Sequence, residues 1–92
     1  MKPTALLVNT SRGPIVDVDA LVAALESGTI GGAAIDVYDV EPLPPDAPIR
    51  RAPRTLLTPH LGYVTDDVLR LFYGDVVEDI DAWLTGTPIR VL

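Results

Sequence analysis

Three short apolar runs, Ala5-Leu6-Leu7-Val8, Gly32-Ala33-Ala34-Ile35-Asp36-Val37-Tyr38 and Thr55-Leu56-Leu57-Thr58, lack helical spacing and constrain the fold more than any other feature. Ala5-Leu6-Leu7-Val8, bounded by Pro3 and Asn9, reads as a strand covered on both faces, and the other two runs read as further strands. Between the first two, Asp17 is placed to cap a helix, and Val18, Leu21, Val22 and Leu25 recur at helical spacing until Gly28 stops it. A strand, a crossover helix and a second strand imply a parallel pair with a right-handed connection. The expectation is therefore an α/β fold.

Five prolines (Pro42, Pro44, Pro45, Pro48 and Pro53) fall within residues 41–54. Proline fixes φ and donates no backbone hydrogen bond, so regular structure is not expected there. A loop of about 13 residues is long for a small domain and draws attention as an active-site loop. It is also long enough for a crossover, which makes the third strand parallel as well. The last element is a helix capped at Thr65 or Asp66 and ended near Gly86 and Pro88. Val68, Phe72, Val76, Ile80 and Leu84 form its apolar stripe, which Leu69, Tyr73, Val77 and Trp83 widen. Phe72, Tyr73 and Trp83 read as core or interface residues.

Ninety-two residues make one small domain that hides about 60–65% of its unfolded surface. Seven basic against thirteen acidic side chains, a net charge of −6, argue against a nucleic-acid partner. The arginines at 50, 51 and 54 read as a solvated loop. Without cysteine and with a single histidine, no metal site is expected. No apolar run reaches the roughly 18 residues that cross a bilayer, and no secretory signal opens the chain, so a cytoplasmic location without membrane contact is expected.

In a parallel sheet all strands end on one edge, where open α/β sheets bind their ligands. That edge would gather Arg12 after the first strand, Asp36 near the end of the second, His60 after the third, and Glu41 on the proline loop. A cation for an anionic substrate, carboxylates and a titratable imidazole make a workable acid–base site. Each residue also has a structural reading. Arg12 could be a solvated turn arginine, Glu41 a loop acid and His60 a hydrogen-bonded structural histidine. Asp36, within an apolar strand, needs a partner in either case. Their joint placement favours the site. Gly28, Gly31 and Gly32 precede a strand and miss the G-x-G-x-x-G spacing, so they are not a phosphate-binding turn.

Residues 1–13, ending Val8-Asn9-Thr10-Ser11-Arg12-Gly13, resemble the arginine-bearing signature of the D-isomer-specific 2-hydroxyacid dehydrogenases. Ala34-Ile35-Asp36-Val37-Tyr38-Asp39-Val40-Glu41-Pro42 is similar to that family's Asp…Glu-Pro segment, and Leu57-Thr58-Pro59-His60-Leu61-Gly62 to its histidine segment. The resemblance implies half of a Rossmann-like doubly wound sheet, with about three parallel strands and two main helices. Residues 1–92 would form one partial domain, the C-terminal portion of a dinucleotide-binding domain.

The implied activity is hydride transfer between a nicotinamide cofactor and a small 2-hydroxy or 2-oxo acid. Arg12 would bind the substrate carboxylate, His60 would act as acid–base, and Glu41 would favour the charged imidazole. Thr10, Ser11, Arg12, Asp36, His60 and Gly62 would meet the cofactor, with NAD the first choice and NADP the second. The family's glycine turn, ribose reader and substrate domain have no counterpart in these 92 residues. The isolated chain is therefore expected to be inactive, and to self-associate or to need a missing N-terminal portion. The alternative is a non-catalytic, truncated interaction or assembly module.

Overall fold

The computed structural model describes residues 1–91; Leu92, the last residue of the expected domain, lies outside them. Strand β1 (Leu6–Asn9) is followed by helix α1 (Val18–Glu26), β2 (Gly32–Ile35), β3 (Thr55–Leu57) and helix α2 (Asp66–Leu84). The strands form one sheet in the order β1-β2-β3, and both pairings are parallel. Three parallel strands and two main helices thus stand as the sequence implies. By contacts the chain divides into two units, Met1–Gly62 and Tyr63–Leu92.

Within the first unit, register decides what is buried. Asn9, Ile35 and Leu57 are paired across the sheet, as are Val8, Ala34 and Leu56 one residue earlier. Successive side chains of a strand point to opposite faces, so these two rows lie on opposite sides. Ile35 and Ala33 join Leu21 and Leu25 of α1, Ile30, Tyr38, Ile49 and Ala52 in one core. On the other face Leu6, Val8 and Leu56 are exposed by 69%, 65% and 64%. The first run, Ala5-Leu6-Leu7-Val8, reads as covered on both faces; the sheet of this unit is covered on one.

Asp17 caps α1 by accepting the Ala20 N–H at 3.0 Å, and Gly28 leaves the helix at a φ of 71°. The proline segment is more ordered than its composition implies. Pro48, Ile49 and Arg50 form one turn of 3-10 helix, with proline at its start, where a missing N–H costs nothing. Ile49 is 1% exposed and pins the segment to the core. Arg50 is not merely solvated: its Nε and Nη2 donate to the carbonyls of Pro44 and Leu43 at 2.7 and 2.6 Å. Arg54 likewise donates to the carbonyls of Gly31 and Leu25, tying the start of β3 to the α1–β2 corner.

The second unit is α2 and its tail. Thr65 caps the helix by accepting the Val68 N–H at 3.2 Å. Arg90 returns the tail to the helix through Asp75, Glu78 and Asp79 at 3.0, 2.8 and 2.8 Å. These three carboxylates raise the guanidinium pKa, the hydrogen bond that Arg90 donates to Glu78 first. The predicted stripe forms, yet no residue of α2 is buried, and Phe72, Tyr73 and Trp83 stay exposed. They are not core residues. No described helix is long and apolar enough to cross a membrane.

Candidate active site at the carboxyl edge of the sheet

Because Asn9, Ile35 and Leu57 are in register, the three segments that follow them leave one edge together. The first is a turn built by Asn9. This residue is 6% exposed; its amide donates to the Arg12 carbonyl at 2.9 Å and its Oδ1 accepts the Ser11 N–H at 3.1 Å. The turn presents Thr10, Ser11 and Arg12 to solvent. One guanidinium nitrogen, Nη1, donates to the Ser11 carbonyl at 2.7 Å. Gly13 then passes so close to the second segment that a Cβ there would lie 2.2 Å from the Tyr38 carbonyl carbon. Only glycine allows that approach.

Asp36 opens the second segment and is 5% exposed. A buried carboxylate needs donors, and the histidine segment supplies them. Oδ1 accepts the Thr58 hydroxyl and the Leu61 N–H (2.9 Å), and Oδ2 accepts the Gly62 N–H at 2.8 Å. The Thr58 hydroxyl above all, then the Leu61 N–H, hold the Asp36 carboxyl below its ordinary range against the opposing effect of desolvation. Gly62 permits this wrapping: a Cβ there would stand 3.1 Å from Asp36 Oδ2 and 3.9 Å from the Thr10 side chain. Asp36, Gly62 and Thr10 are therefore neighbours.

His60 lies inside that wrapped loop at a φ of 59°, a left-handed conformation costing a non-glycine residue about 1–2 kcal/mol. Its Nδ1 is 2.7 Å from Glu41 Oε2. The other glutamate oxygen, Oε1, accepts the Tyr38 N–H at 2.8 Å. Glu41 is held below its ordinary range first by the bond to His60 and then by the Tyr38 N–H. A carboxylate on Nδ1 orients the imidazole ring at this edge. Beside the pair lies a cleft of about 600 Å³, within the range of small-molecule sites. Its walls include Tyr38, Leu43, Arg50, Leu57, Glu41 and His60.

The structure thus joins His60 to Glu41, and Asp36 to Gly62 and Thr10. Arg12 stands on the same edge through the Asn9 turn but does not line the cleft. Two contributors, Tyr38 and Thr58, escaped the sequence reading, and the role of Asn9 in building the first turn did too. Their only sequence signal is a polar group at the end of an apolar run, where a buried hydrogen-bonding atom must find a partner. Among the described residues no cluster of His, Cys, Asp or Glu could hold a metal ion.

Comparison with known proteins now gives this edge a lineage. Residues 1–62 match the family described as D-isomer specific 2-hydroxyacid dehydrogenase, NAD binding domain. The chain is 42% identical over 87 residues to the glyoxylate/hydroxypyruvate reductase B of Yersinia enterocolitica, covering 95% of this chain and 27% of that protein. It is 47% identical over 90 residues to the D-3-phosphoglycerate dehydrogenase of Synechocystis sp., covering 98% of this chain and 16% of that protein. A D-isomer specific 2-hydroxyacid dehydrogenase from Xanthobacter autotrophicus Py2, solved with NADPH and MES, is 39% identical and superposes with a TM-score of 0.68. That match covers 98% of this chain and 36% of the other. The chain therefore spans only 27% and 16% of the length of these two relatives. On its sheet, its edge and this match, the chain belongs to the D-isomer specific 2-hydroxyacid dehydrogenase family and represents part of its NAD-binding domain.

Proposed function

We propose that this chain supplies the catalytic rim of an NAD(P)-dependent oxidoreductase acting on a small 2-hydroxy or 2-oxo acid in the cytoplasm. The observation that carries the reading is the 2.7 Å contact between His60 Nδ1 and Glu41 Oε2 at the edge where all three strands end. His60, protonated, gives a proton to the carbonyl oxygen of a 2-oxo acid, or takes one from the hydroxyl in the reverse direction. Glu41 keeps the ring oriented and stabilises its cationic form. Arg12 binds the substrate carboxylate: a planar fork with five N–H donors, one of them spent on Ser11, suits that task better than lysine.

The cofactor, when bound, supplies or accepts the hydride. Its nicotinamide end fits the surface made by Thr10, Ser11, Arg12, Asp36, His60 and Gly62. Three of the roughly four acceptor positions of the Asp36 carboxylate are taken, which leaves one on Oδ2 for an amide donor. Nothing in the sequence offers a glycine turn for the pyrophosphate, so tight cofactor binding requires the rest of a complete enzyme. On this reading residues 1–92 act as one portion of a dinucleotide-binding domain, with residues 41–54 as the loop that brings Glu41 to the site. The isolated chain is inactive.

A graft tests the reading. The 87 aligned residues replace their counterpart in the Yersinia enterocolitica reductase, and reduction of glyoxylate and hydroxypyruvate is followed with NADH and NADPH. An active graft that loses activity on His60→Ala supports the reading, and an active graft indifferent to that change overturns it. The second reading, a non-catalytic assembly module, is favoured by the open face at Leu6, Val8 and Leu56 beside the bare edge of β1. Unpaired edges and apolar patches recruit other chains, whether a second copy or an N-terminal portion of such an enzyme.

A further inference from the structure

We infer that Tyr38 is the positioning residue of this site, fixing Glu41 through its backbone and the histidine segment through its side chain. The inference rests on the reading of His60 and Glu41 as the working pair. Both members of that pair have side chains 36% exposed. An exposed pair held only by its own attraction contributes little and samples many geometries, since glutamate has three rotatable bonds. Something stiffer must set it.

Tyr38 has the required reach. It is 8% exposed, and its side chain belongs to the core with Leu21, Leu25 and Ile49. From that anchored position its N–H binds Glu41 Oε1 at 2.8 Å, which turns the other carboxylate oxygen toward His60. Its hydroxyl lies 3.0 Å from both the Ile35 and the Thr58 carbonyl oxygens and shares its proton between them. Thr58 stands two residues before His60, so this bond sets where the histidine loop departs from β3. The Tyr38 carbonyl also forms the surface against which Gly13 packs, next to Arg12. One buried residue thus touches the segments that carry the arginine, the glutamate and the histidine. Phenylalanine would fill the same core space and lose only the hydroxyl's links to the Ile35 and Thr58 carbonyls.

His60 is the sole histidine, so its ring nitrogens can be followed without ambiguity in the whole 15N-labelled chain. Spectra are taken at about pH 9, above the ordinary imidazole range, where the neutral ring must choose a tautomer. In the wild-type chain the contact with Glu41 is expected to hold the proton on Nδ1, giving a protected Nδ1–H resonance. Tyr38→Phe should lose that protected signal and move both ring nitrogens toward averaged shifts, as Glu41→Gln does. A Tyr38→Phe chain with wild-type ring shifts, while Glu41→Gln changes them, overturns the inference. Should Tyr38→Phe unfold, the wild-type Tyr38 amide serves instead. Its shift must follow the titration of the Glu41 carboxyl, and an amide indifferent to it overturns the inference as well. Neither readout involves turnover, so failure of the dehydrogenase reading in the graft is distinguishable from failure here.

Discussion

Asp36 reaches across 26 positions of sequence to accept the Gly62 N–H at 2.8 Å, and with the Leu61 N–H and the Thr58 hydroxyl it closes the histidine loop around itself. A carboxylate expected to face a cofactor is therefore first a scaffold. Its bonds hold the residues on either side of His60, whose backbone is left-handed, and one acceptor position of the carboxylate remains.

That scaffold makes the fold sensitive to acid. Asp36 and Glu41 lie below their ordinary values of 3.8 and 4.5, held there chiefly by Thr58 and by His60. A carboxyl depressed in the folded state stabilises it fully above the unfolded pKa, and that contribution disappears as pH falls through the folded value. Stability from these two groups is thus intact above about pH 5 and fades as pH falls below 4.5 for Glu41 and below 3.8 for Asp36. Urea midpoints at pH 7 and pH 3 should differ more for the wild-type chain than for Asp36→Asn, and equal differences would contradict the assignment.

Close approach at Gly13 makes a sharper demand than at Gly62. A Cβ at 13 meets main-chain atoms of Tyr38 and Asp39 at 2.2–2.5 Å, whereas one at 62 meets a carboxylate oxygen at 3.1 Å. Gly13→Ala should cost about 1–3 kcal/mol or more. Gly62→Ala should cost less, while disturbing the Asp36 contacts. Denaturant midpoints of the two variants check the ranking.

The two faces of the sheet should respond oppositely to truncation. Leu25→Ala, at a fully buried position, should cost about 2–5 kcal/mol. Leu56→Ala, at a 64% exposed position, should leave stability nearly unchanged. On the assembly reading, sedimentation of the wild-type chain shows association that rises with concentration, and Val8→Lys with Leu56→Lys reduces it. A wild-type chain monomeric at high concentration would remove that reading.

Much of this was legible in the sequence because parallel strands are buried runs, and runs such as Leu6-Leu7-Val8 announce themselves. The shared edge followed from three such runs leading to Arg12, Asp36 and His60. What stayed hidden depends on long-range partners. Tyr38 looks like one more apolar residue until its hydroxyl is seen on Thr58, 20 positions away. Arg54 looked solvated because its acceptors lie 23 and 29 residues earlier. The turn at Pro48 hid behind proline content, since proline is disfavoured within a helix but suited to its first position. The open face could not be read, because a run of apolar residues records what a strand is built to bury.

Glu41 should matter to turnover in the graft through the 2.7 Å contact of its carboxylate with His60 Nδ1, which orients the ring. Glutamine keeps the shape without the charge. Glu41→Gln is expected to lower kcat for 2-oxo acid reduction, with cofactor affinity largely retained. An unchanged kcat would separate Glu41 from the proton transfer.

The most direct test of the central claim is kcat/KM for 2-oxo acid reduction by the active graft, with and without His60. Loss of a positioned general acid should lower it by about 10²–10⁴-fold on His60→Ala, with cofactor affinity largely retained. Undiminished turnover in that variant would contradict the account.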